Sequence, residues 1–159
     1  MSDARVVRLL LFRVGQLVCA AEADRVREIL PRLTPTRIPG APPVVAGLMN
    51  VRGTLVTVVE GWRALRQAPP PDEPAAEPGG GGGGTSGTIV LLEVDGGKKV
   101  LGFTVDEVVD LLSVGGEALE RRQALPGIDP TLVRAVGRRA GQLFVVLDTD
   151  ALLTPILSS

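Results

Sequence analysis

The chain has 159 residues and a mass of 16.6 kDa, enough for one ordinary domain or two small lobes sharing a core. Its 45% hydrophobic and 22% charged residues are those of a soluble globular chain, and a net charge of −1 offers no bulk attraction to nucleic acid. Histidine is absent and Cys19 is the one cysteine, which excludes Ser-His-Asp and Cys-His catalysis, imidazole zinc sites, an internal disulfide and any CxxC site.

The N-terminus carries Asp3, Arg5 and Arg8 with no long apolar block behind them, so it does not read as a secretory signal. The apolar runs fall far short of the roughly 20 residues of a spanning helix, so no direct membrane insertion is expected. Val6–Val14 and Leu17–Ala21 read as strands flanking a Gly15-Gln16 turn. Ala23–Leu30 reads as a helical turn entering a strand. Val44–Val51 and Gly53–Glu60 form a second strand pair around Asn50-Val51-Arg52-Gly53, and a short helical turn follows Glu60.

Residues 67–87 are rich in proline and glycine and lack branched aliphatic side chains, so they cannot form a packed core. The proline part is expected to be extended and the glycine part flexible. The glycine run lacks the Lys-Ser/Thr of a phosphate loop and leads into a strand, so it reads as a linker. Thr88–Val94 and Lys99–Val105 then flank an Asp95–Lys98 turn. Val105–Leu112 reads like Ala23–Leu30, a helical turn entering a strand. Val133–Arg138, Gln142–Leu147 and a helical turn after Asp148 complete the chain.

The halves repeat. Residues 7–30 align with 89–112 at a constant shift of 82, with Leu9/Leu91, Leu10/Leu92, Asp24/Asp106, Val26/Val108 and Leu30/Leu112 identical. Glu28 and Asp110 are both acids. Ile38-Pro39-Gly40 returns as Leu125-Pro126-Gly127, and Gly53–Glu60 as Gly141–Asp148. About five short strands per copy suggest a small barrel, and two such barrels should pack on each other and exchange strands. The expected layout is one domain over 5–154, with a first repeat at 5–66, the linker at 67–87 and a second repeat at 88–154.

Paired carboxylates such as Asp106/Asp110 and Glu28/Glu60 read as solvent-facing residues on half-buried strands rather than an acid–base pair. Cys19, within the apolar run Leu17–Ala21, reads as a small core residue. No catalytic, cofactor or metal site is expected. The informative block is Ala46–Val56, where Asn50 and Arg52 interrupt an apolar double strand. A tight turn accounts for Asn50 and Gly53. It does not account for Arg52, whose planar donor fork suits partner carboxylates or carbonyls.

With these residues in view, the chain resembles the CheW-type chemotaxis coupling family. The resemblance is carried by Val26-Arg-Glu28-Ile29-Leu30, Ile38-Pro39, Gly47-Leu-Met-Asn50-Val-Arg52-Gly53, Val105-Asp106-Glu-Val108-Val-Asp110, Leu125-Pro126 and Leu147-Asp148, and it runs from about Arg5 to Leu153. It implies a mainly β fold of two intertwined five-stranded SH3-like barrels with short helical turns. It also implies a scaffold without chemistry, cytoplasmic and recruited to receptor arrays. The implied partners are the regulatory domain of a CheA-type histidine kinase and the cytoplasmic tip of a methyl-accepting chemoreceptor, whose helix would lie in an apolar groove.

Carried over by motif, Val26, Glu28 and Ile29 lie near that groove. Asn50, Arg52 and Gly53 form the coupling turn, and Val105, Asp106 and Val108 are the second-copy counterpart. Thr57 stands where members commonly carry proline, and Glu60-Gly61 where they carry Asp-Leu, with Trp62 a candidate replacement anchor. A CheW-like accessory adaptor that does not couple receptor to kinase is one alternative. A small-barrel nucleic-acid binder is another, disfavoured by acidic pI, two lysines and four aromatics.

Overall fold

The computed structural model of the chain describes residues 6–31, 34–67, 87–121 and 128–157. The linker reading, apart from its end residues Gln67 and Gly87, and the Leu125-Pro126-Gly127 landmark lie outside them. In chain order the elements are β1 (Val6–Val14), β2 (Leu17–Glu22), β3 (Val26–Pro31), β4 (Val45–Val51), β5 (Thr54–Val59) and α1 (Gly61–Ala64). The second half holds β6 (Thr88–Val94), β7 (Lys99–Val105), β8 (Glu107–Gly115), β9 (Glu120–Arg121), β10 (Val133–Arg139), β11 (Gln142–Leu147) and α2 (Thr149–Leu157).

The strands form two sheets, ordered β8-β1-β2-β11-β10-β9 and β3-β6-β7-β5-β4. Each sheet mixes strands of the two repeats, so the expected exchange is complete. The hairpin β1–β2 joins β8, β10 and β11, while the hairpin β6–β7 joins β3, β4 and β5. The exchange follows the repeat residue by residue. Cys19 of β2 pairs in parallel with Val145 of β11, and its counterpart Leu101 of β7 pairs in parallel with Thr57 of β5. Register shifts also recur, in β3 between Val26 and Glu28 and in β10 between Val133 and Ala135, matched by one in β4 between Val45 and Gly47. The second sheet is extended beyond β4 by Thr36, which exchanges backbone hydrogen bonds with Leu48 at 2.7 and 2.8 Å. Gly47 makes that approach possible, because a Cβ there would meet the Thr36 carbonyl oxygen at 2.2 Å.

Strand alternation explains the core. Leu9 and Leu11 point into the first barrel with Ala20, Phe144 and Val146, while Leu10 and Phe12 point the other way. They meet Val90, Leu92, Leu101 and Phe103 of the second barrel, and Phe12 and Phe103 make an edge contact with ring centroids 6.0 Å apart. Met49, Val56, Val58, Ile89 and Leu91 fill the second barrel. The apolar run Leu9–Phe12 therefore has no polar alternation because both faces of β1 are buried. The largest of the three cores lies between the barrels, which is how two small barrels gain enough buried area to be stable.

Two local expectations are corrected. The helical turn precedes β3, at Ala23–Arg25, but its counterpart before β8 is a one-residue bend at Asp106. There the Asp106 amide donates to the Arg13 carbonyl at 2.8 Å, and the Asp106 carboxylate accepts from the Gly15 amide at 3.0 Å. These long-range bonds take the place of the local ones a helical turn would make. The turn after Asp148 is longer than expected: α2 runs nine residues, with Leu152 and Leu153 buried in the main core. Asp148 caps it by accepting from the Ala151 amide at 3.1 Å.

Gly61 also finds its reason. Its amide donates to Thr104 Oγ1 at 2.9 Å, and a Cβ there would lie 2.1 Å from the Thr104 carbonyl oxygen. The close crossing of α1 over β7 requires the glycine, and Trp62 beside it packs against the main core.

Candidate functional site

The β4–β5 hairpin turns through Arg52 and Gly53, with φ of +52° and +86°. Positive φ at both positions matches the right-handed twist of the flanking strands. Asn50 braces the turn, its Oδ1 accepting from the Gly53 amide at 2.8 Å. The turn thus holds Arg52 away from the sheet with its side chain 74% exposed.

The guanidinium forms a bidentate pair with Glu28 on β3. Arg52 Nη1 donates to Glu28 Oε1, and Nη2 donates to Oε2 at 2.8 Å. This hydrogen-bonded pairing holds the Glu28 carboxyl below the usual glutamate range, and it raises Arg52 above its already high value. Because β3 and β4 are the two ends of the sheet order, the pair ties one end of the open sheet to the other. The register shift between Val26 and Glu28 lies just before the acid, where such irregularities re-aim a side chain.

Large apolar side chains are exposed beside both partners. Ile29, next to Glu28, is 44% exposed, and Leu55, opposite Asn50 in the hairpin, is 65% exposed. An exposed, preorganised charge pair with aliphatic neighbours has the makeup of a protein-binding surface.

The first barrel holds a counterpart. Arg139 at the end of β10 donates to Asp110 on β8 at 2.9 Å, and Asp110 is the repeat equivalent of Glu28. Ala140 and Gly141 have φ of +51° and +81°, the same turn as Arg52-Gly53. The arginine has moved one position back along the chain, and the acid–arginine bridge has survived. Leu111 and Leu143, the equivalents of Ile29 and Leu55, are again exposed. Acidity at positions 28 and 110 was the sequence signal for this bridge. Exposure of the four aliphatic residues had none, because strand alternation alone does not say which face is covered.

The structure thus brings Glu28 and Ile29 of β3 and Asn50, Arg52 and Gly53 of the β4–β5 turn to one site, where the two end strands of the sheet are tied together. It does not add the others to them. Val26 and Val108 are half-buried against the core between the barrels, and Val105 belongs to that core. Asp106 is occupied at the bend, accepting from the Gly15 amide and from Arg13 Nη1 at 3.2 Å. Among the described residues no three His, Cys, Asp or Glu side chains are grouped to hold a metal ion, and no helix is long and apolar enough to cross a membrane. Cys19 is buried, and burial pushes its thiol well above the usual range.

A family model described as the CheW-like domain matches residues 8–156. Among solved structures, the crystal structure of scaffolding protein TtCheW from Thermoanaerobacter tengcongensis is similar in fold. Its TM-score is 0.79 at 17% sequence identity, with 94% of this chain and 93% of that chain covered. A comparison with curated proteins gives no match.

Proposed function

The chain belongs to the CheW-like domain family, and from that premise we propose that it is a non-catalytic scaffold coupling methyl-accepting chemoreceptors to a CheA-type histidine kinase. It would act in the cytoplasm, recruited to a chemotaxis or motility array. A chemotaxis adaptor role is the family's general one. The coupling reading rests above all on the Glu28–Arg52 pair, held exposed on a braced turn and flanked by Ile29 and Leu55.

A coupler must hold two partners in fixed relation without reacting with either. Two barrels locked by a shared core supply the rigidity, and pre-set turns reduce the ordering cost of docking. Val26 and Val108, half-buried against the core between the barrels, are the candidates for the apolar contact with a receptor helix, while Val105 lies buried within that core behind them.

The test is a pair of titrations, one with a CheA-type kinase regulatory domain and one with receptor tips displayed on nanodiscs, followed by a three-component sedimentation assay. The reading predicts saturable binding to each and co-sedimentation of all three. Binding to one partner alone would reduce the protein to an accessory adaptor, and binding to neither would overturn the proposal.

A further inference from the structure

The short helix α1 starts where β5 ends, about 20 Å along that strand from the Arg52 turn. It forms one wall of a cleft of about 490 Å³ lined by Pro42, Pro43, Trp62, Arg63, Arg66 and Gln67. Both walls are held by backbone bonds. The Val45 amide donates to the Pro42 carbonyl at 2.9 Å and the Glu60 amide to the Val44 carbonyl at 2.8 Å, which fixes the two exposed prolines. The Leu65 amide donates to the Gly61 carbonyl at 3.0 Å and the Gln67 amide to the Trp62 carbonyl at 2.7 Å, which fixes the helix and the residues after it. The Arg63 guanidinium lies over the Trp62 ring at 4.3 Å from its centroid. Arg66 follows at φ +57°, exposed at the end of the helix.

We propose that this cleft docks an extended acidic segment of a partner protein, with proline or another apolar residue between its carboxylates. Charge complementarity carries the assignment. The described lining holds two cations and no acid, in a chain whose net charge is −1. Among the described residues neither Arg63 nor Arg66 forms an ion pair. The Asp129 carboxyl feels Arg66, but it is held below the usual aspartate range chiefly by its bonds from Thr131. Stacking on Trp62 fixes the plane of the Arg63 guanidinium and leaves its in-plane N–H donors for a carboxylate. Trp62, Pro42 and Pro43 make much of the remaining wall apolar, and aromatic-lined grooves of this kind take proline-containing chains in the polyproline II form at low entropic cost. A bare phosphate or sulfate would leave those apolar walls unused. The Trp62 indole Nε1 is shielded from water and meets no acceptor among the described residues, so an occupant whose carbonyl reaches it gains a bond the chain leaves unmade.

Trp62 is the only tryptophan in the chain, so its fluorescence reports the cleft alone. The full chain is titrated with a short acetylated peptide alternating glutamate and proline, and with glutamine–proline and lysine–proline peptides of the same length. Neither kinase nor receptor is needed, so the result is independent of the coupling reading. The proposal predicts a saturable change in emission with the glutamate peptide alone, weakening as salt rises, with the single indole N–H resonance moving in step. Arg66→Glu should weaken that binding by about tenfold or more, because it reverses the charge match. Should that variant fold poorly, Arg66→Gly removes the charge, suits the positive φ, and should weaken binding in the same direction. No saturable response to the glutamate peptide, or an equal response to the glutamine peptide, would overturn the proposal. Tighter binding of inorganic phosphate or of a short single-stranded oligonucleotide would also overturn it, by making the cleft a small-anion or nucleic-acid site.

Discussion

Gly137 on β10 lies directly across from Phe144 on β11, and a Cβ on the glycine would fall 2.5 Å from the phenylalanine ring. At the same place in the other barrel, Met49 lies across from Val56. One barrel fills the position with nothing plus a ring, the other with two medium side chains. The volumes are complementary within each pair, which is what close packing of small barrels demands. Gly137→Ala should therefore destabilise by about 1–3 kcal/mol through overpacking. Gly137→Met combined with Phe144→Val, which copies the other barrel, should melt higher than Gly137→Met alone. Thermal denaturation of the three variants checks this.

Gly61→Ala should be more damaging than a helix-favouring change normally is. The added methyl meets the Thr104 carbonyl, which belongs to β7 and cannot rotate away. The expected loss is about 2 kcal/mol or more, read as a lower melting temperature. Trp62 emission should shift at the same time, since α1 must lift from the sheet.

The Glu28–Arg52 pair sets a pH dependence of known sign. The folded-state value of Glu28 is depressed, so its contribution is complete above the ordinary glutamate range and is lost as pH falls through the folded value. Carboxyl NMR titration should show Glu28 titrating lower than free glutamate in wild type, and moving back up in Arg52→Ala. Because the pair is exposed, neutral-pH melting of that variant should change little.

Partner binding should respond differently. Arg52→Glu should leave a normal melt and weaken kinase-domain or receptor-tip binding about thirtyfold if the arginine is desolvated on docking. The double change Glu28→Arg with Arg52→Glu restores an internal pair with its polarity reversed. Binding that stays weak in the double variant, measured by calorimetry, would assign the loss to the charge seen by the partner. Binding that returns would assign it to the geometry of the turn.

Cys19 should be inert in the folded protein. It is fully buried and its thiol is pushed up by desolvation, so little thiolate is present or reachable at neutral pH. A chromogenic thiol reagent should react slowly with native protein and promptly, at one equivalent per chain, in guanidinium.

Much of this was legible in the sequence. Val6–Val14, Thr88–Val94, Lys99–Val105 and Gln142–Leu147 appear as strands with the boundaries that turn residues and apolar runs indicated. The repeat at a shift of 82 foretold strand exchange, because neither copy carries enough apolar surface to stand alone. The Asp106 bend was not legible: its bonds run to Arg13 and Gly15, more than 90 residues away in the chain, and local pattern carries no record of them. The tight turn at Asn50 and Gly53 was legible, as was the fitness of the Arg52 fork for a carboxylate, but the acid it meets within the chain, Glu28, was not. The pairing itself is exposed rather than buried, a distinction that depends on which face of the sheet is left uncovered.

The exchange of hairpins between barrels also limits how the molecule can answer a signal. With β1 and β2 seated in one sheet and the strands that follow them in the other, neither barrel can loosen without withdrawing strands from its neighbour. Opening is therefore an all-or-none event for the whole chain, and local melting of one lobe is not an available switch. Whatever a bound partner imposes on one end must reach the other as displacement of a stiff body, as force passes through a strut.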